Sequence, residues 1–121
     1  MGDDPRDPGS VLDETAPALA LICTRLVYEE QPELWRLGEN GRERTIEDFR
    51  HHLRALASMD VDVVAAHVRY CEGLFRERGF PERWLTDAWR IIETTLHREL
   101  PAHAEAIVSV LRAGIAAARS S

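Results

Sequence analysis

Apolar residues recur at intervals of three and four along most of the chain, the spacing typical of amphipathic α-helices. From Thr15 onward no segment shows the strict alternation of apolar and polar residues that marks a half-buried strand. The predicted apolar faces are Leu19, Ile22, Cys23 and Leu26; Leu34, Trp35 and Leu37; Ile46, Phe49, Leu53 and Leu56; Val64, Val68, Cys71, Leu74 and Phe75; Trp84, Leu85, Ala88, Trp89, Ile92 and Leu96; and Ala104, Ile107, Val108, Leu111, Ile115 and Ala118. The pattern predicts an all-α bundle of five to six helices.

Helix-capping residues place the predicted boundaries. Thr15 is a good N-cap for the first helix, with Pro17 tolerated in the opening turn, and Asp60 is a good N-cap for a later one. Gly79 suits the C′ position that ends that later helix. Residues 1–14 combine Gly, Pro, Asp and Ser with little to bury, so we expect a disordered leader followed by one domain over residues 15–121.

Three chemically versatile side chains fall on the predicted apolar faces. His52 follows Phe49 by three positions and precedes Leu56 by four, and His67 and Cys71 are four apart on the next helix. Such residues at core-facing positions indicate a pocket. The simpler interpretation is a hydrogen-bonded core histidine beside a small buried thiol, which is the more common arrangement.

A metal site receives little support from the spacing. His67 and Cys71 would give two ligands to one ion, whereas a closed zinc site needs four. The remaining candidates lie on other helices and form no second paired motif; they are Cys23, His52, His97 and His103. We therefore predict no metal at these residues.

A flat organic ligand would use features that the chain does show. Haem needs one axial histidine in an apolar cavity, and His52, His67 and His97 all qualify. A pigment needs aromatic walls and arginines for its acidic groups, with Arg69 or Arg90 as candidates. The candidate walls are Trp35, Tyr70, Phe75, Trp84 and Trp89. Aromatic residues at helical spacing are also what an ordinary core contains.

Composition excludes several classes of function. The net charge is −6, and neither half of the chain has the basic excess that phosphate binding requires, so we expect no nucleic-acid partner. No apolar run is long enough to span a bilayer and no secretory signal is seen, so we expect no membrane association and a cytoplasmic location. Serine nucleophile elbows and phosphate-binding glycine loops are absent, and we expect no enzyme activity.

Residues 38–101 read GENGRERTIEDFRHHLRALASMDVDVVAAHVRYCEGLFRERGFPERWLTDAWRIIETTLHRELP. This segment resembles the helical sensory domain that accompanies cobalamin-binding modules in bacterial regulators, including the bilin-binding domain of cobalamin and bilin photoreceptors. More distantly, it is similar to the non-haem globin-like sensor of stressosome proteins. The matching features are Glu47-Asp48-Phe49 followed by His52-Leu53, the Asp60 break, Val68 to Tyr70, Arg78-Gly79 and Glu99-Leu100-Pro101.

The resemblance implies a globin-like fold with a cavity that binds a linear tetrapyrrole in some members. It places His52, His67, Tyr70 and Cys71 at that cavity. Trp89 and Arg69 complete the candidate cofactor-binding set as an aromatic wall and a partner for carboxylates. Biliverdin or another bilin is the expected cofactor, held non-covalently or through a thioether to Cys71, and haem is the less favoured one.

The expected function is therefore that of a sensory or regulatory module, and a photoreceptor if the ligand is a pigment. A non-haem signalling and dimerisation module without a cofactor, and a haem-binding globin, are the alternatives. No cobalamin module follows residue 101, so the resemblance implies signalling through a separate partner or through a homodimer. The Ala-rich last helix is the surface expected to accept a second helix closely.

Overall fold

The computed structural model describes residues 6–120, which form five α-helices and one 3-10 helix. The α-helices are α1 (Pro8–Glu30), α2 (Gly38–Ala57), α3 (Val61–Glu77), α4 (Glu82–Glu99) and α5 (Ala104–Arg119), and the 3-10 helix, Pro32–Leu37, joins α1 to α2. No strand occurs within residues 6–120, and the prediction of an all-α bundle is confirmed.

The helices pack in two principal pairs. α1 lies mainly against α2, α3 lies mainly against α5, and α4 contacts α1, α3 and α5. Aliphatic side chains fill the space between them, and burying each contributes about 1.5–3 kcal/mol relative to exposure. The largest fully enclosed apolar side chains are Leu12, Leu53, Leu56, Ile91, Ile92, Leu96, Ile107, Leu111, Val64 and Val68.

The predicted disordered leader is wrong for residues 8–14, which form the first two turns of α1. Val11 and Leu12 within this stretch are only 2% and 0% exposed, so the segment contributes to the core. Two buried apolar side chains among Gly, Pro and Asp were too few to stand out in the sequence. Of the rest of the predicted leader, Asp7 caps α1, and residues 1–5 lie outside the described part of the chain.

The N-cap of α1 is Asp7, not Thr15 as predicted. The Asp7 carboxylate accepts a hydrogen bond from the backbone N–H of Ser10 at 3.0 Å, which satisfies a free donor of the first turn. The Thr15 hydroxyl instead donates to the carbonyl of Val11 at 2.8 Å inside the helix. Pro17 therefore lies in the helix interior, and α1 continues through it to Glu30.

The predicted boundaries of α3 are confirmed at both ends. The Asp60 carboxylate accepts from the N–H groups of Asp62 and Val63, as an N-cap should. Gly79 has φ +69°, and the N–H of Phe80 donates to the carbonyl of Phe75 at 3.0 Å, which is the Schellman arrangement. The rings of Phe75 and Phe80 meet at 5.4 Å and close the turn with an apolar contact.

α5 approaches α3 most closely at Gly114, which is buried. A Cβ atom placed on Gly114 would lie 2.8 Å from Cβ of Val64 on α3, closer than real Cβ contacts. The absence of a side chain at Gly114 thus allows α3 of the same chain to pack closely against α5. The predicted homodimer through the Ala-rich helix stays a prediction.

Two glycine-to-alanine variants should have opposite effects on stability. Gly73→Ala, in the interior of α3 with open space around it, should raise the free energy of unfolding by up to about 1 kcal/mol through helix propensity. Gly114→Ala should lower it by about 1–2 kcal/mol, because overpacking against Val64 outweighs the same propensity gain. Urea unfolding of Gly73→Ala, Gly114→Ala, Val64→Ala and the double variant Gly114→Ala/Val64→Ala measures this, and the double variant should lose less than the sum of the losses of Gly114→Ala and Val64→Ala. Equal shifts for both glycines would contradict the close helix approach.

Within residues 6–120, no helix has the length and apolar character that crossing a membrane requires.

Candidate functional site

Helices α2 and α3 bring His52, His67 and Cys71 together at one point. Nδ1 of His52 lies 2.8 Å from Nε2 of His67, so one ring donates a hydrogen bond to the other. Sγ of Cys71 lies 3.4 Å from the same His67 nitrogen and 4.0 Å from His52 Nδ1. The spacing of four on α3 predicted the His67–Cys71 contact, and only the packing of α2 on α3 adds His52.

Aromatic rings enclose this cluster. The indole of Trp89 on α4 meets the His52 imidazole edge-to-face at a centroid distance of 4.7 Å, and Phe49 does so at 5.8 Å. His52 is 5% exposed and Cys71 is 5% exposed, whereas His67 keeps partial access to the surface. The cluster is therefore buried on the α2 and α4 side and reachable from outside through His67.

Burial keeps the three groups uncharged. It lowers the pKa of His52 from 6.5 to about 3, with a smaller contribution from the proximity of His67. It also lowers the pKa of His67, and it raises the pKa of the Cys71 thiol from 9.0 to about 12, with help from the carboxylates of Asp48 and Glu72. At neutral pH the cluster consists of two neutral imidazoles and a thiol.

A cavity of about 360 Å³ lies beside the cluster, between the end of α1, the 3-10 helix, α2, the turn after α3 and the start of α4. Its walls are largely apolar, and His52 forms part of them. The residues that line it include Gln31, Leu34, Arg44, Thr45, Asp48, Phe49, His52, Phe75, Arg78, Phe80 and Trp84. Mostly apolar pockets with a few polar groups are typical of small-molecule sites.

Two residues that line this cavity each have a buried polar atom that lacks a hydrogen-bond partner among residues 6–120. These atoms are the carbonyl oxygen Oε1 of Gln31 and the indole N–H, Nε1, of Trp84. Gln31 is 5% exposed, and its amide nitrogen donates to Asp87 at 3.0 Å, which orients the side chain. A buried polar group without a partner costs about 1–3 kcal/mol, so the acceptor of Gln31 and the donor of Trp84 are two unsatisfied groups in the wall of the cavity.

Charged groups lie at the same cavity. Burial raises the pKa of the Asp48 carboxyl, while Arg44 and Arg78 counteract that rise through their positive charges. Both guanidinium groups belong to exposed residues that line the cavity, so they stand at its mouth. Planar guanidinium groups suit bidentate recognition of carboxylates.

The structure separates the six predicted cofactor-binding residues into three groups. His52 lines the cavity, as predicted. His67, Cys71 and Trp89 lie in the packed cluster beside it and not in its lining, so the predicted placement of His67 and Cys71 at the cavity is corrected. Tyr70 is 66% exposed and Arg69 extends over the surface to donate to the carbonyl of Ala117, so the predicted placement of these two at the cavity is corrected. Positions 69 and 70 precede the buried Cys71 and turn away from the core.

The other residues that the sequence singled out lie apart from the cluster. Trp35 is 59% exposed and packs against Tyr28, and Arg90 pairs with Glu30 at the surface. The thiol of buried Cys23 donates a hydrogen bond to the hydroxyl of Thr95, and Cys23 forms no disulfide.

Sequence reasoning missed the polar residues of the cavity. Gln31 is not among the residues that the sequence analysis singles out, and Asp48 enters it only through the Glu47-Asp48-Phe49 feature of the resemblance. Neither position belongs to an apolar stripe, so periodicity gave no signal for them. Periodicity also gave no signal for Phe80 as a cavity residue, because its position depends on the Schellman turn at Gly79.

Comparisons of the chain with protein-family models, curated proteins and solved structures give no match.

Proposed function

We propose that this protein is a sensory or regulatory module that binds a small, flat, largely apolar ligand in the cavity beside His52. A linear tetrapyrrole such as biliverdin is the first candidate. The observation that carries the proposal is the mostly apolar cavity of about 360 Å³, whose lining includes two residues with unpartnered buried polar atoms, Gln31 Oε1 and Trp84 Nε1. The choice of a tetrapyrrole rests on the resemblance of residues 38–101 to bilin-binding sensory domains.

The dimensions and charges of the cavity define how such a ligand would bind. Pockets for drug-sized ligands measure roughly 300–1,000 Å³, so this cavity is at the small end and would enclose only part of a tetrapyrrole. The flat rings would lie between Phe49, Phe80 and Trp84. The acidic substituents would remain at the mouth, within reach of Arg44 and Arg78.

The signalling step would be a population shift. The cavity is bounded by α1, α2, α4 and the turn after α3, so a ligand that fits one packing of these elements better than another changes their relative populations. A helical surface then reports the change to a partner protein or to a second copy of the chain.

Titration of the purified protein with biliverdin tests the proposal. We expect a shifted visible absorption band, and at least a tenfold weaker affinity for Thr45→Phe, which places a ring in the cavity. Thr94→Phe is the matched control, since Thr94 is exposed on α4 and distant from the lining, and its affinity should be unchanged. Absence of a shifted band, or equal loss in both variants, would eliminate biliverdin as the ligand.

A second variant isolates the unpartnered donor. Trp84→Phe keeps an aromatic wall and removes only the indole N–H, so affinity for a bound tetrapyrrole should fall about 5–15-fold if the ligand accepts that hydrogen bond. An unchanged dissociation constant would show that Trp84 contributes packing alone.

The two alternative functions give different results in the same experiment. A haem-binding globin would show a Soret band with added haemin, lost in His52→Ala. The enclosed His52 ring is less suited to this, because Trp89 and Phe49 already cover it. A cofactor-free signalling and dimerisation module would bind neither compound.

A further inference from the structure

We propose that His52, His67 and Cys71 form a binding site for one zinc-class transition-metal ion, with a water molecule as the fourth ligand. The single ligand atoms that the three residues offer all lie within 4.8 Å of one another. Two come from adjacent turns of α3 and the third from the facing surface of α2. The site goes beyond the proposed ligand cavity and does not depend on it.

The distances are close to those of a tetrahedral site. With metal–nitrogen bonds of about 2.0–2.1 Å and a metal–sulfur bond of about 2.3 Å, tetrahedral geometry separates two nitrogens by about 3.3 Å and nitrogen from sulfur by about 3.6 Å. The observed separations are 2.8 Å between the nitrogens and 3.4 and 4.0 Å from each nitrogen to the sulfur. Side-chain movements of roughly half an ångström would therefore admit the ion.

The chemistry of the three groups selects the class of metal. Two imidazoles and a thiol are borderline-to-soft ligands that favour zinc, cobalt or copper, whereas magnesium and calcium require oxygen ligands. Three protein ligands leave a fourth position open, as in catalytic rather than structural zinc sites. Partly exposed His67 provides the route by which an ion enters.

Binding releases one proton. The ion replaces the Cys71 thiol proton, which passes to solvent as the metal–sulfur bond forms. The ring that donates the hydrogen bond between His52 Nδ1 and His67 Nε2 changes tautomer, so that each neutral ring carries its single proton on the nitrogen that faces away from the metal. This change releases no further proton. No oxidant or reductant is needed.

Cobalt(II) titration of the reduced protein tests the site, followed by zinc in competition with a chromophoric chelator. We expect one ion per chain and a near-ultraviolet thiolate-to-cobalt charge-transfer band. Since loss of an outer-sphere partner alone costs 10–100-fold, loss of a ligand in Cys71→Ser or His67→Gln should weaken affinity by more than about 100-fold. Cys23→Ser is the matched control, because Cys23 is also buried but bonds to Thr95, and it should retain the band and the affinity.

Folding of the variants is checked by far-ultraviolet circular dichroism, and the unmodified protein provides an independent measure. Added zinc should raise its Tm, and the gain in the free energy of unfolding should match the value that linkage predicts from the measured Kd. The proposal is overturned if no ion binds at micromolar concentration, if the charge-transfer band persists in Cys71→Ser, or if Cys23→Ser loses it equally. The biliverdin titration is independent, so either proposal can fail alone.

Discussion

Trp89→Ala should lower the free energy of unfolding by about 3–5 kcal/mol, the range for removing a fully buried aromatic ring. Trp89 is 5% exposed and packs against both histidines of the cluster, at centroid distances of 4.7 Å to His52 and 6.4 Å to His67. Removing the indole leaves a void between α4 and the α2–α3 pair. Urea unfolding followed by circular dichroism measures the loss.

The same variant should change the chemistry of the cluster. Water entering the void would reduce the desolvation of His52, so its pKa should rise from about 3 toward 6.5, which NMR titration of the imidazole can follow. Trp35→Ala is the control: at 59% exposure that residue buries less than half of its surface, and the free energy of unfolding should fall by only about 1–2 kcal/mol. Comparable losses for the two tryptophans would contradict the position of Trp89 at the centre.

Acid should destabilise the metal-free protein well before its carboxylates protonate. The folded-state pKa of His52, about 3, lies below its unfolded value of 6.5, so between these pH values the unfolded chain binds a proton that the folded chain does not. Stability is thus fully present above about pH 6.5 and declines as the pH falls toward 3. For His52 alone the loss at pH 5 relative to pH 7 is about 2 kcal/mol.

Neighbouring groups modify this pH dependence in known directions. The pKa of His67 is also lowered, which adds to the loss, whereas the raised pKa of Asp48 favours the folded state as the pH nears 4. Denaturant unfolding at pH 5, 6 and 7 with EDTA present measures the effect. His52→Gln should flatten the dependence, and His97→Gln, at an exposed position, should leave it unchanged. A flat profile for the unmodified protein would show that His52 is protonated when folded.

Local signals in the sequence were sufficient where the structure depends on neighbours along the chain. The N-cap at Asp60, the C′ glycine at 79 and the turn that buries His52 rather than His51 all follow from side chains within one or two helical turns. The contact between His67 and Cys71 is of the same kind, because residues four apart on a helix share a face.

The start of α1 shows where local signals fail. Thr15 satisfies the rule for an N-cap as well as Asp7 does, and the choice between them was made by burial of Val11 and Leu12 in the assembled bundle. Tyr70 is a second failure of local signals: it was predicted to lie at the cavity, but this aromatic residue faces solvent although the next residue, Cys71, is buried.

The sequence by itself determined that this chain is helical, which face of each helix is apolar, and that two histidines and a cysteine belong to those faces, because all of this depends on residues less than two turns apart. Only the tertiary structure decided that His52 meets the pair on α3, and that Gln31 and Trp84 leave polar atoms unpartnered at a common cavity. His52 and His67 are 15 positions apart in the chain, and Gln31 and Trp84 are 53 apart. Their relative positions are set by how ridges and grooves of whole helices pack, which no local spacing specifies.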